Sequence, residues 1–260
     1  MSGMASTLAC IGLDVDSLDT LNQHLAAMDS TVAGRIDGIE SVRYSDPSGA
    51  RIVVAVDPEG DTIDLVPSYD ARPGAVLAAL GPLGPVVQAD VVGADDAVAT
   101  RIAADLEQHR HLAGTVGGPL RGAVVALGVE MTVHADAAAF AASDASVLGT
   151  PEAGEEPSRW ATESFVSYGL FAGESAPEPT AFLSGTVVDA ATMTNGATGQ
   201  PFHVVRVATV GFEATVCLAG AEHADLPAPG NIVAGSCYLV VDVPTLWTLE
   251  PPRRKRRWGR

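Results

Sequence analysis

The order of apolar and polar positions predicts strands over most of the chain and one clear helix near its start. The apolar, β-prone run "LACIGLDV" (8–15) is typical of a strand. In the next segment, 16–28, apolar side chains recur at the spacing of one helical face, with Asp16 or Ser17 as the cap. Three further strands, separated by the turns "DPSG" and "DPEG", are predicted at 39–45, 50–56 and 62–66. The predicted order is therefore βαβββ.

One carboxylate stands in the middle of a predicted strand. In "DTIDLV" (61–66) the alternation turns Asp64 away from the apolar face. Asp64 is therefore either a solvated residue on a half-exposed sheet or a group that faces a site. A later stretch, "VEMTVHAD" (129–136), can be laid over "IDLVPSYD" (63–70), which puts Glu130 opposite Asp64 and hints at a duplication.

The middle of the chain is less clearly patterned. Residues 71–85 contain three prolines and three glycines, which predicts a connector. Residues 98–106 fit a helical face and a strand alternation equally well, so periodicity leaves both open. Residues 122–136 predict a strand.

The clearest break in composition is "GTPEAGEEPSR" (149–159), which has nothing to bury and is predicted to be a linker. Beyond it lie 10 of the 13 aromatic residues and four strand-like runs, which predict an antiparallel barrel or sandwich. The predicted class is therefore α+β. The predicted division is an α+β unit at 1–148, the linker at 149–159, an all-β barrel at 160–250 and a basic, disordered tail at 251–260.

Charge is distributed unevenly along the chain. Of the 15 basic residues, six lie in the last eight positions, so residues 1–252 hold nine bases against all 32 acids, a net charge of −23. A body this acidic repels phosphate backbones, which argues against a nucleic-acid-binding surface on it. Lys255 is the only lysine, and arginine without lysine is typical of a GC-rich bacterial genome.

Cysteine usage and hydropathy indicate the compartment. The three cysteines, Cys10, Cys217 and Cys237, are too few for a disulfide framework and fit a reducing environment. No apolar run reaches the length that crosses a membrane, and the first residues lack a signal pattern. We therefore expect a cytoplasmic bacterial protein with no membrane span.

Two segments carry a resemblance to a known family. "CIGLDVDSLDTL" (10–21) and "DPSGARIVVAVDPEGDTIDLV" (46–66) resemble a half-module of the vicinal oxygen chelate superfamily, which includes glyoxalases, bleomycin-resistance proteins and extradiol dioxygenases. The resemblance covers the first 70 residues and extends weakly to about residue 140. It implies paired βαβββ modules that form a cupped sheet. In that family the concave face can hold a divalent metal through a His on the first strand and a Glu on the last.

The corresponding positions of this chain carry different residues. They are Cys10 and Asp64 in the first module, and Gln88 and Glu130 in the second. This set lacks imidazole and is not an obvious iron, zinc or nickel site, so no metal or other cofactor is expected. His134 lies close in sequence to Glu130 and is the one imidazole expected to approach the candidate cavity. The resemblance thus implies a ligand-binding cavity with Cys10, Asp64, Glu130 and His134, the alternative for Cys10 being a small buried apolar residue.

A second resemblance lies beyond the linker. "SGTVVDA" (184–190), "TGQPFHVVRV" (198–207) and "PAPGNIVAGSCYLV" (227–240) resemble parts of an OB-type barrel spanning 181–243. Such barrels often bind single-stranded nucleic acid through aromatic side chains in a basic groove. Residues 160–250 hold nine acids and one base, Arg206, so we expect the fold without that function. The aromatic side chains are then expected in the core: Phe182, Phe202, Phe212 and Tyr238.

Two short motifs bear on chemistry. "GSCY" (235–238) matches part of a papain-type signature, but the His that would activate its thiol must lie downstream, and the last histidine is His223. No catalytic residue is therefore expected. The tail holds the candidate polyanion-binding residues, and it either binds nucleic acid or an anionic membrane surface, docks on the acidic body or is solvated. These residues are Arg253, Arg254, Lys255, Arg256 and Arg257.

The sequence leaves three functions open. The first is a non-catalytic small-molecule-binding protein with an acidic β-barrel attached. The second is a structural or interaction protein that binds a macromolecule, such as a protein partner or a second copy, through the barrel or the basic tail. The third is a metal-dependent lyase or dioxygenase. Whether the chain is an enzyme stays open, and the missing imidazole ligands weigh against it.

Overall fold

The computed structural model describes residues 6–149, 156–248 and 250. Within them lie two α-helices, α1 (Leu18–Leu25) and α2 (Ala137–Ala142). The strands of the same residues are β1 (Asp29–Ile36), β2 (Ile39–Ser45), β3 (Ala50–Val56), β4 (Thr62–Tyr69), β5 (Ala75–Leu83), β6 (Val86–Val92), β7 (Val98–Leu106), β8 (Leu120–His134), β9 (Ser164–Ser167), β10 (Thr180–Thr194), β11 (Pro201–Thr209), β12 (Phe212–Ala219) and β13 (Ile232–Asp242).

Strands β1 to β4 form an antiparallel sheet in chain order, the small sheet. β2 and β3 have the predicted bounds. The turn between β3 and β4 forms because the Asp57 carboxylate accepts three backbone N–H groups of the turn, and Gly60 adopts the left-handed φ of 100° that the turn needs. The cap of α1 is Ser17, whose hydroxyl accepts the Thr20 N–H at 3.2 Å.

The predicted order βαβββ is wrong, because α1 precedes all four strands of the small sheet. Residues 8–15, expected to be the first strand, contain a 3-10 turn at Ala9–Ile11 that ends at Gly12 with φ 69°. The run is apolar because Cys10 and its neighbours are buried, and a short apolar run does not distinguish a strand from another buried segment. The resemblance to the vicinal oxygen chelate module stays a prediction.

The remaining strands form a large mixed sheet in which two sets of five close into rings. Strands β5-β6-β7-β13-β8 form the upstream ring, and strands β10-β11-β12-β8-β13 form the downstream ring. Most neighbours are antiparallel, but β7 pairs with β13 and β12 pairs with β8 in parallel. The ladder between β8 and β13 belongs to both rings. Residues 98–106, left open by periodicity, are therefore the strand β7.

The two rings exchange strands across the predicted linker. The upstream ring closes with β13, which lies beyond residues 149–159, and the downstream ring closes with β8, which lies before them. The division into units at 1–148 and 160–250 stays a prediction, but these two stretches share one sheet. Part of the predicted linker and the whole predicted tail, 251–260, lie outside the described residues.

Successive side chains of β8, one of the two strands shared by the rings, point alternately into two different hydrophobic cores. Val124 and Ala126 of β8 lie in the core of the rings, whereas Val125 and Leu127 face the small sheet. That second core also takes Phe202 of β11 and the buried face of α1. The small sheet is therefore packed against the outside of the rings. The architecture is mostly β, with a four-stranded antiparallel sheet beside a large mixed one.

The predicted burial of aromatic side chains is confirmed for Phe182, Phe202 and Phe212. Tyr238 is half-buried and its hydroxyl donates to the Asp105 carboxylate. No helix in the described part of the chain is both long and apolar enough to cross a membrane.

Candidate functional site

A cleft of about 330 Å³ lies between the downstream ring and the linking segment, residues 70–74. Its volume falls at the lower end of the range of small-molecule sites. Five charged side chains line it, together with small apolar residues and backbone. The lining residues include Asp70, Arg72, Asp189, Ala191, Arg206 and Glu213.

The floor of the cleft is the outer face of β10, β11 and β12. Val205 and Val207 of β11 point into the ring core, so Val204 and Arg206 point outward. In the ladder between β10 and β11, Asp189 lies opposite Arg206. The register therefore sets an acid beside a base at the centre of this face.

The wall of the cleft is held against the floor by its backbone. The Glu213 N–H donates to the Gly74 carbonyl at 3.0 Å, and the Gly74 N–H donates to the Gly122 carbonyl at 3.2 Å. A Cβ at Gly74 would overlap the Glu213 carbonyl oxygen, so only glycine allows this approach. Tyr69 packs edge-on against Phe202, with ring centroids 6.2 Å apart. The wall is therefore fixed at both ends.

The guanidinium groups of the two cleft arginines donate no hydrogen bond within the described residues. Arg206 Nη1 lies 3.6 Å from Glu213 Oε2, too far for a hydrogen bond, and its buried Nε has no acceptor among the described residues. Arg72 is exposed and has no ion pair or side-chain hydrogen bond within the same part of the chain. Both guanidinium groups can therefore donate to a bound molecule.

Asp70 joins the cleft to a buried charge cluster beneath it. The Asp70 carboxylate pairs with Arg51, which is 4% exposed. Arg51 Nη1 also donates to both oxygens of Glu107 at 3.0 Å and to Asp242 at 3.1 Å. Asp242 further accepts from Gln108 Nε2 at 2.6 Å. One cation of the small sheet thus holds carboxylates from the linking segment, β13 and the residue after β7.

Burial makes Glu107 the most perturbed carboxyl of the cluster. Its side chain is 3% exposed, and loss of solvation raises its pKa to about 7, with the nearby Asp242 charge adding to the rise and Arg51 opposing it. The single guanidinium of Arg51 cannot neutralise the two buried carboxylates of Glu107 and Asp242. The pKa of Glu107 therefore stays high.

The structure places the sequence-predicted ligand residues in separate environments. Cys10 is fully buried, its thiol donates to the Ser6 and Gly128 carbonyls, and burial raises its pKa to about 12. Asp64 is half-exposed on β4 and lies 3.4 Å from Arg110. Neither residue lines the cleft.

The other two predicted residues lie on β8. Glu130 is exposed, opposite Ser236 in the ladder with β13. His134 hydrogen-bonds Thr132 at 2.9 Å and packs on Phe140, and burial lowers its pKa. Within the described residues, no hydrogen bond, ion pair or ring contact joins any two of Cys10, Asp64, Glu130 and His134. The predicted polyanion-binding residues Arg253 to Arg257 lie outside the described residues.

The cleft residues carried only a faint sequence signal. Arg206 is the one base between residues 160 and 250, and an isolated cation in an acidic stretch is a candidate for recognition. Arg72 and Asp70 lie in a segment that the sequence marks only as a connector. Their approach to β10–β12 follows from the exchange of strands between rings, which local patterns do not encode.

The chain matches no known family model, no curated protein and no solved structure. Its function is therefore argued from the geometry of the cleft.

Proposed function

We propose that the chain is a non-catalytic binding protein that holds a small polar molecule in the cleft between the linking segment and β10–β12. The observation that carries the proposal is Arg206, a guanidinium on the cleft floor that is 42% exposed and makes no side-chain hydrogen bond within the described residues. Its exposed nitrogens can donate charge-assisted hydrogen bonds to an oxygen of a bound ligand. The cleft volume of about 330 Å³ supports a small molecule as the occupant.

Binding is proposed rather than catalysis because of the groups that face the cleft. The lining holds guanidinium and carboxylate groups, which fix the orientation of a charged ligand. The thiols Cys10, Cys217 and Cys237 are buried elsewhere, and burial raises the pKa of each. Three free buried thiols also support the proposed cytoplasmic location.

The fold proposed for the downstream ring is an OB-type barrel. Its long first strand β10 pairs with β11 and β13, and β12 lies parallel to a fifth strand, here β8. This strand order supports the resemblance drawn from residues 181–243. OB folds bind ligands on the face of their second and third strands, which correspond to β11 and β12 under the cleft.

The other two functions stay predictions. One is the binding of a macromolecule through the barrel or the tail. No contact within the described residues favours this function over small-molecule binding in the cleft. The metal-dependent lyase or dioxygenase loses its expected ligand pair, because the Cys10 thiol donates to backbone carbonyls and Asp64 faces Arg110.

A ligand screen with a blocked cleft tests the proposal. Ala191 is exposed on the cleft floor, so the indole ring in Ala191→Trp fills the cleft while every charged side chain of the lining is kept. We expect some small polar compounds to raise the Tm of the wild-type protein, by roughly 5–10 °C at 100 times Kd, and not that of the variant. Ala141→Trp, on the exposed side of α2, is the matched control and keeps the shift. A broad polar library without any shift, or shifts that survive Ala191→Trp, would refute binding at this cleft.

A further inference from the structure

We infer that the ligand of the cleft is a zwitterion, an amino-carboxylate whose carboxylate is bound by Arg206 and Arg72 and whose ammonium group faces Asp189 and Glu213. The inference rests on the proposed function and names its ligand class. It follows from the signs and positions of the four side chains and from the unused donors of the two arginines.

The anionic end is assigned by the two arginines. Residues 1–252 have nine bases in an acidic body, and two of the nine line this one cleft from opposite sides, Arg206 from the floor and Arg72 from the wall. Neither makes a side-chain hydrogen bond within the described residues, and Arg206 Nε is buried without an acceptor. A planar carboxylate matches the fork of a guanidinium group and accepts two parallel hydrogen bonds from it.

The cationic end is assigned by the carboxylates around Arg206. Asp189 lies opposite Arg206 across β10 and β11, and Glu213 Oε2 lies 3.6 Å from Arg206 Nη1. The third carboxylate, Asp70, is already paired with Arg51. Because Asp189 and Glu213 flank the anion-binding groups, a ligand with only negative charge meets repulsion there. A ligand with one positive and one negative group can pair with both the arginines and the carboxylates of the cleft.

The field of the whole protein favours the same class. Residues 1–252 carry a net charge of −23, which repels anions from solution and disfavours a phosphate or dicarboxylate. A zwitterion has no net charge and meets no such barrier. The available volume of about 330 Å³ equals roughly 11 water molecules at about 30 Å³ each, which suits a single amino acid and its side chain. Ala191 and Val204 offer apolar contact for the aliphatic part.

Charge-blocked ligands test the inference directly. The probes are the twenty free amino acids and, for each one that binds, its N-acetyl and its carboxamide derivatives, measured by titration calorimetry. We expect at least one free amino acid to bind and both derivatives to lose about 10- to 100-fold in affinity, as for a lost hydrogen bond to a charged group. The variants Arg206→Gln and Glu213→Gln lose a similar factor.

Matched controls keep folding and binding apart. The Arg101–Asp90 ion pair, 2.6 Å across β7 and β6, lies outside the cleft, and Arg101→Gln keeps wild-type affinity. Arg72 is exposed, so Arg72→Gln folds normally and still weakens binding.

The outcomes separate the inference from the proposed function. If blocked derivatives bind as tightly as the free amino acid, or if only other polar compounds bind, the zwitterion assignment is wrong while the binding function stands. If no compound of any class binds in the cleft, both are wrong.

Discussion

Buried charge is concentrated on a few residues in this protein. Arg51 is the one guanidinium of a cluster in which Glu107 and Asp242 are 3% and 6% exposed. A buried ion pair contributes little net stability, because desolvation offsets much of the attraction, but a second buried carboxylate adds a cost of its own. That cost depends on protonation, so pH acts on this cluster through Glu107.

The pH dependence of Glu107 has a defined sign. Burial raises its folded pKa to about 7 from the ordinary value of 4.5, so the folded state binds the proton more tightly than the unfolded state. The stability that Glu107 contributes is present below pH 4.5 and is lost as pH rises towards and through 7. The histidines whose pKa is lowered by burial, His111, His134 and His223, act in the opposite direction. Only a difference between variants isolates Glu107.

We predict that Glu107→Gln gains stability relative to the wild type as pH rises from 5 to 8. The amide keeps the size of the side chain and cannot ionise. Melting temperatures of both proteins across this range measure the difference. Asp70→Asn is the comparison, because Asp70 is 71% exposed and its contribution is screened by solvent. A difference between Glu107→Gln and wild type that stays constant with pH would contradict the prediction.

At the scale of elements, the linking segment shapes the cleft. It runs from the end of β4 to the start of β5, and Gly74 brings its backbone against Glu213 of β12. The predicted connector at 71–85 shrinks to residues 71–74, because β5 begins at Ala75. Because the linking segment is short and fixed at both ends, it keeps a constant distance from β10–β12 and so sets the width of the cleft.

Gly74→Val should therefore alter both stability and binding. The added side chain overlaps the Glu213 backbone, which cannot move without breaking its ladder, so we expect a loss of about 1–3 kcal/mol in urea denaturation. Ligand-induced Tm shifts fall at the same time, because the wall moves. Gly117→Ala is the control, since nothing lies within 4 Å of its added Cβ. A Gly74→Val protein as stable as Gly117→Ala would show that the segment is not held.

Local patterns predicted the elements with regular alternation and missed those without it. β2 and β3 were predicted at their observed bounds, since both are flanked by turn-forming residues. β1 was missed, because half of its side chains are exposed and alternation is absent. Residues 8–15 were misassigned, because a short, mainly apolar run does not distinguish a strand from another buried segment. The cleft was not predictable, since Arg72 and Arg206 meet only through long-range strand pairing.

At the scale of the molecule, the rings depend on each other. Each takes a strand from the other side of residues 149–159, so neither stretch contains all five strands of its own ring. The resulting edges would be unpaired in an isolated fragment, and unpaired strand edges favour aggregation.

We predict that residues 1–148 and 160–250 do not fold when expressed separately and regain structure when co-expressed. Circular dichroism and hydrogen exchange of the separate and mixed fragments measure this. A full-length chain cut by a protease within 149–159 should stay assembled, because the ladder between β8 and β13 holds the halves together. Cooperative unfolding of residues 160–250 alone would contradict the prediction and support an independent barrel.

The parallel pairing of Asp105 with Val240 also sets the timing of biosynthesis. Both rings need β13, the last strand of the described residues, so neither ring closes before β13 has left the ribosome. Until then the nascent chain carries open strand edges, the state in which ribosome-associated chaperones act. Closure of both rings therefore waits for the synthesis of β13.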